Sequence, residues 1–346
     1  GVQTCALPIL YIPELGHNVS VTDYAHTLYI RASWTDFNPQ EDVYGWKIDS
    51  NLRAYIEGAY QRNMRLAFRV VVDSRDKRTE FTPQFVKDAG AKGFMNKGKW
   101  SPYSDDPVFQ KYYTKFVKAL AKDFNDPSKV EFIDGFGLGK WGEYHTMIYS
   151  TGDDTPKKAV FDWVTDIYSQ AFDKVPVVIN YHRWIGAGKD WVDDEHFAAD
   201  SEEMLEEAIK KGYSLRHDAF GMTTYYGSWE RRFAKKYRNI CPIIMEGGWI
   251  VKSHSYWQDP RGYRKDSHED VRRGEFDDSK EAHVNMMDFR FGDTESWFKD
   301  AFDLVRRFLR EGGYRLYPSE ISLPLEVSKK TTPTIKHCWN NLGWGY

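Results

Sequence analysis

From about residue 27 to residue 318 the chain repeats one pattern, a short apolar, β-branched run followed by a helical stretch carrying an apolar stripe. The runs are TLYIRASW (27–34), RLAFRVVV (65–72), EFIDGFGLG (131–139), VPVVINYH (175–182), RHDAFGMTTYY (216–226), CPIIMEGGW (241–249), HVNMMDFR (283–290) and YRLYP (314–318). Several are continuously apolar instead of alternating, which is how strands covered on both faces read. Such strands separated by helices predict a parallel sheet, either closed as a barrel or open and doubly wound. The nucleotide-binding version of the open sheet needs a glycine-rich turn that opens a helix after an early strand. None is present, and the glycines of GFGLGKWG (135–142) run into Glu143, Tyr144 and His145. The predicted class is therefore α/β, a (β/α)8 TIM barrel. A length of 346 residues suits one such barrel with a small attachment.

The helical stretches carry recognisable ends. In PVFQKYYTKFVKALAKDF (107–124), Phe109, Tyr113, Phe116, Val117, Leu120 and Phe124 recur at helical spacing, Pro107 occupies the first turn and Asp106 stands at the cap. EEMLEEAIKKGY and FKDAFDLVRRFLREGG repeat the pattern, the second closed by a glycine pair. Residues 1–9, GVQTCALPI, resemble the read-through translation of a sequencing adapter and are set apart from the fold. The expected division is a catalytic barrel over 10–313 and, over 314–346, the beginning of a β-sandwich that stops too soon to close, with an exposed edge.

Composition narrows the function. A net charge of −3 and a pI near 6.4 give no general attraction to nucleic acid or anionic membrane. No apolar run approaches a membrane span, and the mean hydropathy of −0.66 agrees. Aromatic residues make up 16% of the chain, with 13 Trp and 22 Tyr, which suits a cleft that grips flat, hydroxyl-rich ligands. With the leading segment set aside, Cys241 and Cys338 remain and support neither a disulfide framework nor a metal cluster. His268, Glu269 and Asp270 are adjacent on a predicted helix and point different ways, so no metal is expected there.

Active sites of such barrels gather at the C-terminal ends of the strands. Glu143 and Glu246 both fall there, each beside tryptophan and glycine. Two carboxylates across an aromatic-lined mouth are what glycosidic cleavage requires, one to protonate the leaving oxygen and one to attack the anomeric carbon or activate water. Around them stand candidate sugar contacts: Arg31, Trp34, Arg69, Trp141, His145, Asn180, His182, Tyr225, Tyr226 and Trp249, with Trp100 and Tyr103 as further platforms and Trp184 near the same mouth. Arg69 lies inside an apolar strand and must have an acidic partner. His217 reads equally as a core histidine. Residues 73–106 form a long insertion of the sort that shapes subsites.

YIRASWTDFNPQEDVYGWKID (29–49) resembles the early-barrel signature of clan A glycoside hydrolases of the family 42 β-galactosidase type. GLGKWGEYH and GYRLYPSEISLP…NNLGW are similar to proteins carrying domain of unknown function 4832, a barrel followed by a β-sandwich. The resemblance implies that TLYIRASW is the second barrel strand, that the first lies in 10–20, and that Glu143 ends strand four and Glu246 strand seven. These would be the acid/base and nucleophile of a retaining hydrolase of β-linked oligo- or polysaccharides, with no cofactor and a carbohydrate substrate as partner. Arg31 would hold the nucleophile ionised, Tyr225 or Tyr226 would donate to Glu246, and Glu246 would raise the pKa of Glu143 while itself ionised. One departure stands out: the family places asparagine before the acid/base, to meet the sugar 2-hydroxyl, and this chain has Gly142. Trp141, His145 or Asn180 would then take that contact. A non-catalytic sugar-binding barrel and an inverting or transglycosylating enzyme remain alternatives. A secreted or periplasmic location is expected by family habit alone, and oligomeric state is left open.

Overall fold

The computed structural model describes residues 9–48, 50–188, 198–221, 225–248, 268–289, 296–330 and 332–345. Its centre is a sheet of seven parallel strands: β1 (Thr27–Ser33), β2 (Arg65–Val71), β3 (Val130–Asp134), β4 (Val177–Asn180), β5 (Ser214–Phe220), β6 (Ile243–Gly247) and β7 (Met286–Met287). Neighbours in the sheet are also neighbours in sequence throughout, so the winding never reverses. A doubly wound sheet requires such a reversal; this is a singly wound (β/α) barrel. The helices between strands are α1 (Asn51–Tyr60), α2 (Pro107–Phe124), α3 (Lys157–Ala171), α4 (Ser201–Lys210), α5 (Ser228–Tyr237) and α6 (His268–Glu281), with α7 (Phe302–Glu311) after β7. Among the described residues no helix is long and apolar enough to cross a membrane.

Each strand alternates between two environments. Ile30, Leu66, Phe68, Val70, Ile133, Val177, Ile179, Leu215, Ile243 and Met245 pack outward into the helix layer, where α2 contributes Phe109, Tyr113, Phe116, Val117 and Leu120. The α2 stripe begins where the sequence predicts, since Asp106 accepts from Phe109 N at 2.8 Å. On the inner face Tyr29, Ala67, Phe132, Val178, Ile244 and Met286 form one apolar layer drawn from six strands. Two residues further along each strand, toward the C-terminal end, come Arg31, Arg69, Asp134, Asn180, Glu246 and, on β5, Asp218. Period-two alternation therefore stacks a charged layer on an apolar one. Barrel interiors are ordinarily filled with branched apolar side chains, and here one such layer is charged instead.

The expected first strand is replaced by an antiparallel hairpin, Ile9–Ile12 with His17–Ser20. Ile9, set outside the fold in the sequence reading, pairs there with Ser20. The segment following the hairpin packs against the one before α7: Tyr24 meets Phe298 and Phe302 edge-on at 5.6 and 5.2 Å. Beyond α7, Leu316–Ser322 pairs with Lys336–Asn341 in a two-stranded antiparallel ribbon, exposed along its whole length. Among the described residues this ribbon is all that stands for the expected sandwich. The chain returns to the barrel at Trp344, whose ring packs against Phe276 and Phe308 and whose indole donates to Val284 O at 3.1 Å.

Candidate active site

β1 and β6 stand five strands apart in the sheet, yet Arg31 and Glu246 form an ion pair at 3.3 Å, which requires the sheet to curl. Arg31 also reaches Glu143 Oε1 at 3.3 Å and donates to Trp141 O at 2.9 Å. Arg69 makes the same bridge from beneath, 3.4 Å to Glu143 Oε1 and 3.4 Å to Glu246 Oε2. The two glutamates thus share two guanidinium groups. Both are almost wholly buried, at 4% and 3% exposure, whereas the Arg31 side chain keeps 23% and faces the opening.

Below them a buried charge network supports Arg69. Its Nε pairs with Asp134 at 2.9 Å and its Nη2 with Asp218 at 3.1 Å. Arg216, two residues before Asp218 on the same strand face, donates to Asp218 at 2.8 Å and pairs with Glu246, and the Tyr29 hydroxyl donates to Asp134. Glu246 therefore neighbours three guanidinium groups. Buried charges persist only when paired in this way. Asp134, Arg216, Asp218 and Tyr29 are absent from the sequence-based candidates. Their signal was available, because a charge inside an apolar strand, the argument that singled out Arg69, applies equally to EFID and to RHD.

Glu143 is carried by a loop of unusual backbone. Trp141, Tyr144 and Thr146 have φ of 60°, 61° and 51°, a left-handed region that non-glycine residues enter at about 1 kcal/mol or more each. Surrounding hydrogen bonds hold them there: Tyr144 N to Leu138 O at 2.9 Å, Gly186 N to Tyr144 O at 2.9 Å, and Lys140 N to His145 O at 3.1 Å. Gly137 must be glycine, since its φ is 71° and a Cβ would lie 2.2 Å from Val70 O. Gly142 explains the missing asparagine. Its φ is 73°, and a Cβ would come within 3.3 Å of Val71 and 3.5 Å of Arg69. A side chain there would meet the barrel wall, not the mouth.

Polar groups surround the second oxygen of Glu143. Tyr225 donates to Oε2 at 2.9 Å, and His145 Nε2 lies 3.1 Å from it. Oε1 faces two cationic donors, so a proton carried by this carboxyl sits on Oε2. Burial, and after it the Asp218 carboxylate, raise the Glu143 pKa to about 7 against the opposing pull of Arg31, Arg69 and Tyr225. The like charge that matters most is Asp218, where the sequence reading named Glu246.

Several candidates stand elsewhere than expected. Asn180 and His182 turn to the Glu143 backbone, donating to its carbonyl at 3.2 and 2.8 Å, so they hold the loop and do not line the mouth. The His182 tautomer follows from Trp184 N donating to Nδ1 at 3.1 Å, which leaves the proton on Nε2. Burial and the neighbouring His145 lower the His182 pKa to about 3, so it is neutral. Tyr225, expected to donate to Glu246, donates to Glu143. Tyr226 is buried, stacks on Phe220 at 4.4 Å and accepts from Tyr181, so it is packing. Trp34 is buried among Phe85, Phe109, Tyr113 and Phe116 and forms no platform. Trp100 is buried in the insertion, and Trp184 lies under the Arg183 guanidinium at 3.7 Å. Tyr103 is half-buried, its ring tilted at 42° against Phe94. His217 is buried between Tyr181, Tyr225 and Tyr226, a core histidine. Trp249 lies outside the described residues. Trp141 is the half-exposed ring at the mouth, with Lys140 Nζ 4.4 Å from its centroid.

No protein-family model and no curated protein sequence matches the chain, so the resemblances to family 42 and to domain of unknown function 4832 gain no support. Similar solved structures include the exo-beta-1,4-mannosidase Op5Man5 from Opitutaceae bacterium strain TAV5, 14% identical over 76% of this chain and 44% of that one, with a TM-score of 0.43. The Pseudomonas stutzeri endoglucanase Cel5A is 10% identical over 84% of this chain and 83% of that one, TM-score 0.46. Endo-glycoceramidase II from Rhodococcus sp. is 13% identical over 87% and 75%, TM-score 0.47. The chain spans less than half the length of the mannosidase.

Proposed function

We propose that this site hydrolyses a glycosidic bond, with Glu143 as general acid/base and Glu246 as nucleophile. The observation that carries the reading is the pair of buried glutamates, 103 residues apart in sequence, clasped by the same two arginines while holding different charge environments. Glu143 keeps its proton up to about neutral pH and can release it to a leaving oxygen. Glu246, ringed by Arg31, Arg69 and Arg216, is placed to act as an anion. In a double displacement Glu246 attacks the anomeric carbon, the leaving oxygen takes the Glu143 proton, and Glu143 then draws a proton from the water that cleaves the glycosyl ester. Once Glu246 is esterified its negative charge is gone, which eases ionisation of Glu143 for the second step. The reading rests on this geometry and not on the likeness to other barrels. β-Linked oligo- or polysaccharides as substrates and a secreted or periplasmic location belong to the same proposal.

The test uses aryl glycosides of several sugars. Glu143→Gln is expected to lose about 10²–10⁴-fold in turnover with a poor leaving group and much less with a good one, because only the poor one needs the acid. Glu246→Ala with azide is expected to return a glycosyl azide of inverted configuration, whereas an inverting enzyme yields none. A folded protein that binds glycans and releases no reducing ends sinks the hydrolase reading in favour of a binding barrel.

A further inference from the structure

Among the described residues Lys77, beside the mouth, forms no ion pair. With Glu143 protonated, the carboxylates of Asp134, Asp218 and Glu246 are matched by the guanidinium groups of Arg31, Arg69 and Arg216. Lys140 and Lys97 take Asp76 at 3.3 and 3.6 Å, and Arg75 takes Asp73. Lys77 takes no carboxylate among the described residues, and its ammonium rests only over the Phe81 ring, 5.3 Å from the centroid. It is half-buried, and the charges acting on it are Arg31, which repels it, and then Glu143, Asp76 and Asp73, which attract it without pairing with it. Burial and Arg31 lower its pKa to about 8, which leaves it charged at neutral pH.

This position is built. Lys77 N closes a turn onto Ser74 O at 3.1 Å, and Asp76 before it takes φ of 60°, the left-handed value that turns the chain. Ser74 Oγ accepts from Phe81 N at 2.8 Å, Thr82 donates to Val72 O at 2.9 Å, and Thr35 N donates to Phe81 O at 2.9 Å. Both ends of the turn are thus fastened to the barrel. A half-buried ammonium without a directly paired carboxylate gains when an anion arrives to meet it.

We propose that the sugar taken by this site carries an oxyanion, a carboxylate or a sulfate ester, received by Lys77 together with the exposed edge of Arg31. The proposal rests on the carbohydrate reading of the mouth and specifies its substrate class. An oxyanion would supply the missing charge without disturbing the pairs beneath.

Matched oligosaccharides that are neutral, uronate-bearing or O-sulfated distinguish the two oxyanions, assayed with wild type, Lys77→Met and Lys77→Arg, each checked for folding by circular dichroism. The expected result is a preference in kcat/KM of about tenfold or more for one anionic series, of the size of a charge-assisted contact. Lys77→Met should remove the preference and Lys77→Arg should keep most of it. Equal rates for neutral and anionic substrates, or a preference that survives Lys77→Met, overturn the proposal. If nothing is hydrolysed, the hydrolase reading fails separately and calorimetric binding of the same sugars decides. Anionic binding weakened about tenfold by Lys77→Met supports the proposal; binding indifferent to charge, or no binding at all, overturns it.

Discussion

Asp218 never touches Glu143, yet its removal should move the pH dependence of the reaction. Both carboxylates hydrogen-bond the same Arg69 guanidinium, at 3.1 and 3.4 Å, and at an effective dielectric near 20 a charge at about 6 Å, a distance that shared guanidinium allows, acts with about 3 kcal/mol. At 1.36 kcal/mol per pH unit this is about two units, reduced to about one by the Arg69 charge between them. Asp218→Asn removes the repulsion and turns more of the Arg69 field onto Glu143, and both effects favour the Glu143 anion. The alkaline limb of kcat/KM, set by Glu143 at about 7 in the wild type, should therefore move down by about one to two units. Asparagine keeps the oxygen that accepts from Arg69 and Arg216, so the fold should hold, which a thermal melt checks. An alkaline limb unmoved in a folded variant would refute the electrostatic account of Glu143.

Tyr225→Phe should act in the opposite direction. Losing the 2.9 Å donor to Oε2 disfavours the Glu143 anion, and the same limb should rise in pH–rate profiles. Glu143 should also register in stability. Its pKa is raised by folding, so its favourable contribution is complete below the unfolded value near 4.5 and is lost as pH rises through about 7. Glu143→Gln removes that loss, and above pH 8 it should be more stable than wild type by up to about 3 kcal/mol in urea melts, the gap closing near pH 5. An unchanged gap across that range would contradict the burial argument. Trp34→Ala should lose about 3–5 kcal/mol of stability with KM unaltered, as befits a core ring; a KM effect without a stability effect would restore it as a sugar platform.

Much of this arrangement was legible along the chain. Continuous apolar runs between amphipathic helices determined a parallel sheet wrapped by helices, because both requirements are local: period two for strands, 3.6 for helices. The same local chemistry drew attention to Glu143, Glu246, Arg31 and Arg69, polar groups standing where apolar ones belong. The same exception, a charge inside an apolar strand, would have added Asp134 in β3 and Arg216 and Asp218 in β5.

Curling of the sheet decided the rest. That β1 meets β6 through Arg31 and Glu246, that Tyr225 serves Glu143, and that Asn180 and His182 face a backbone carbonyl are consequences of which inner-face residues reach one point in space. Sequence spacing carries no record of that point, since it depends on barrel closure and on the left-handed turns of 141–146. Trp34 and Trp141 are the same residue type, each just past the end of a strand, yet one is sealed in the helix layer and the other stands half-exposed at the mouth. Burial is a property of the packed molecule: composition supplies the rings, and only the tertiary structure selects which of them a ligand can reach.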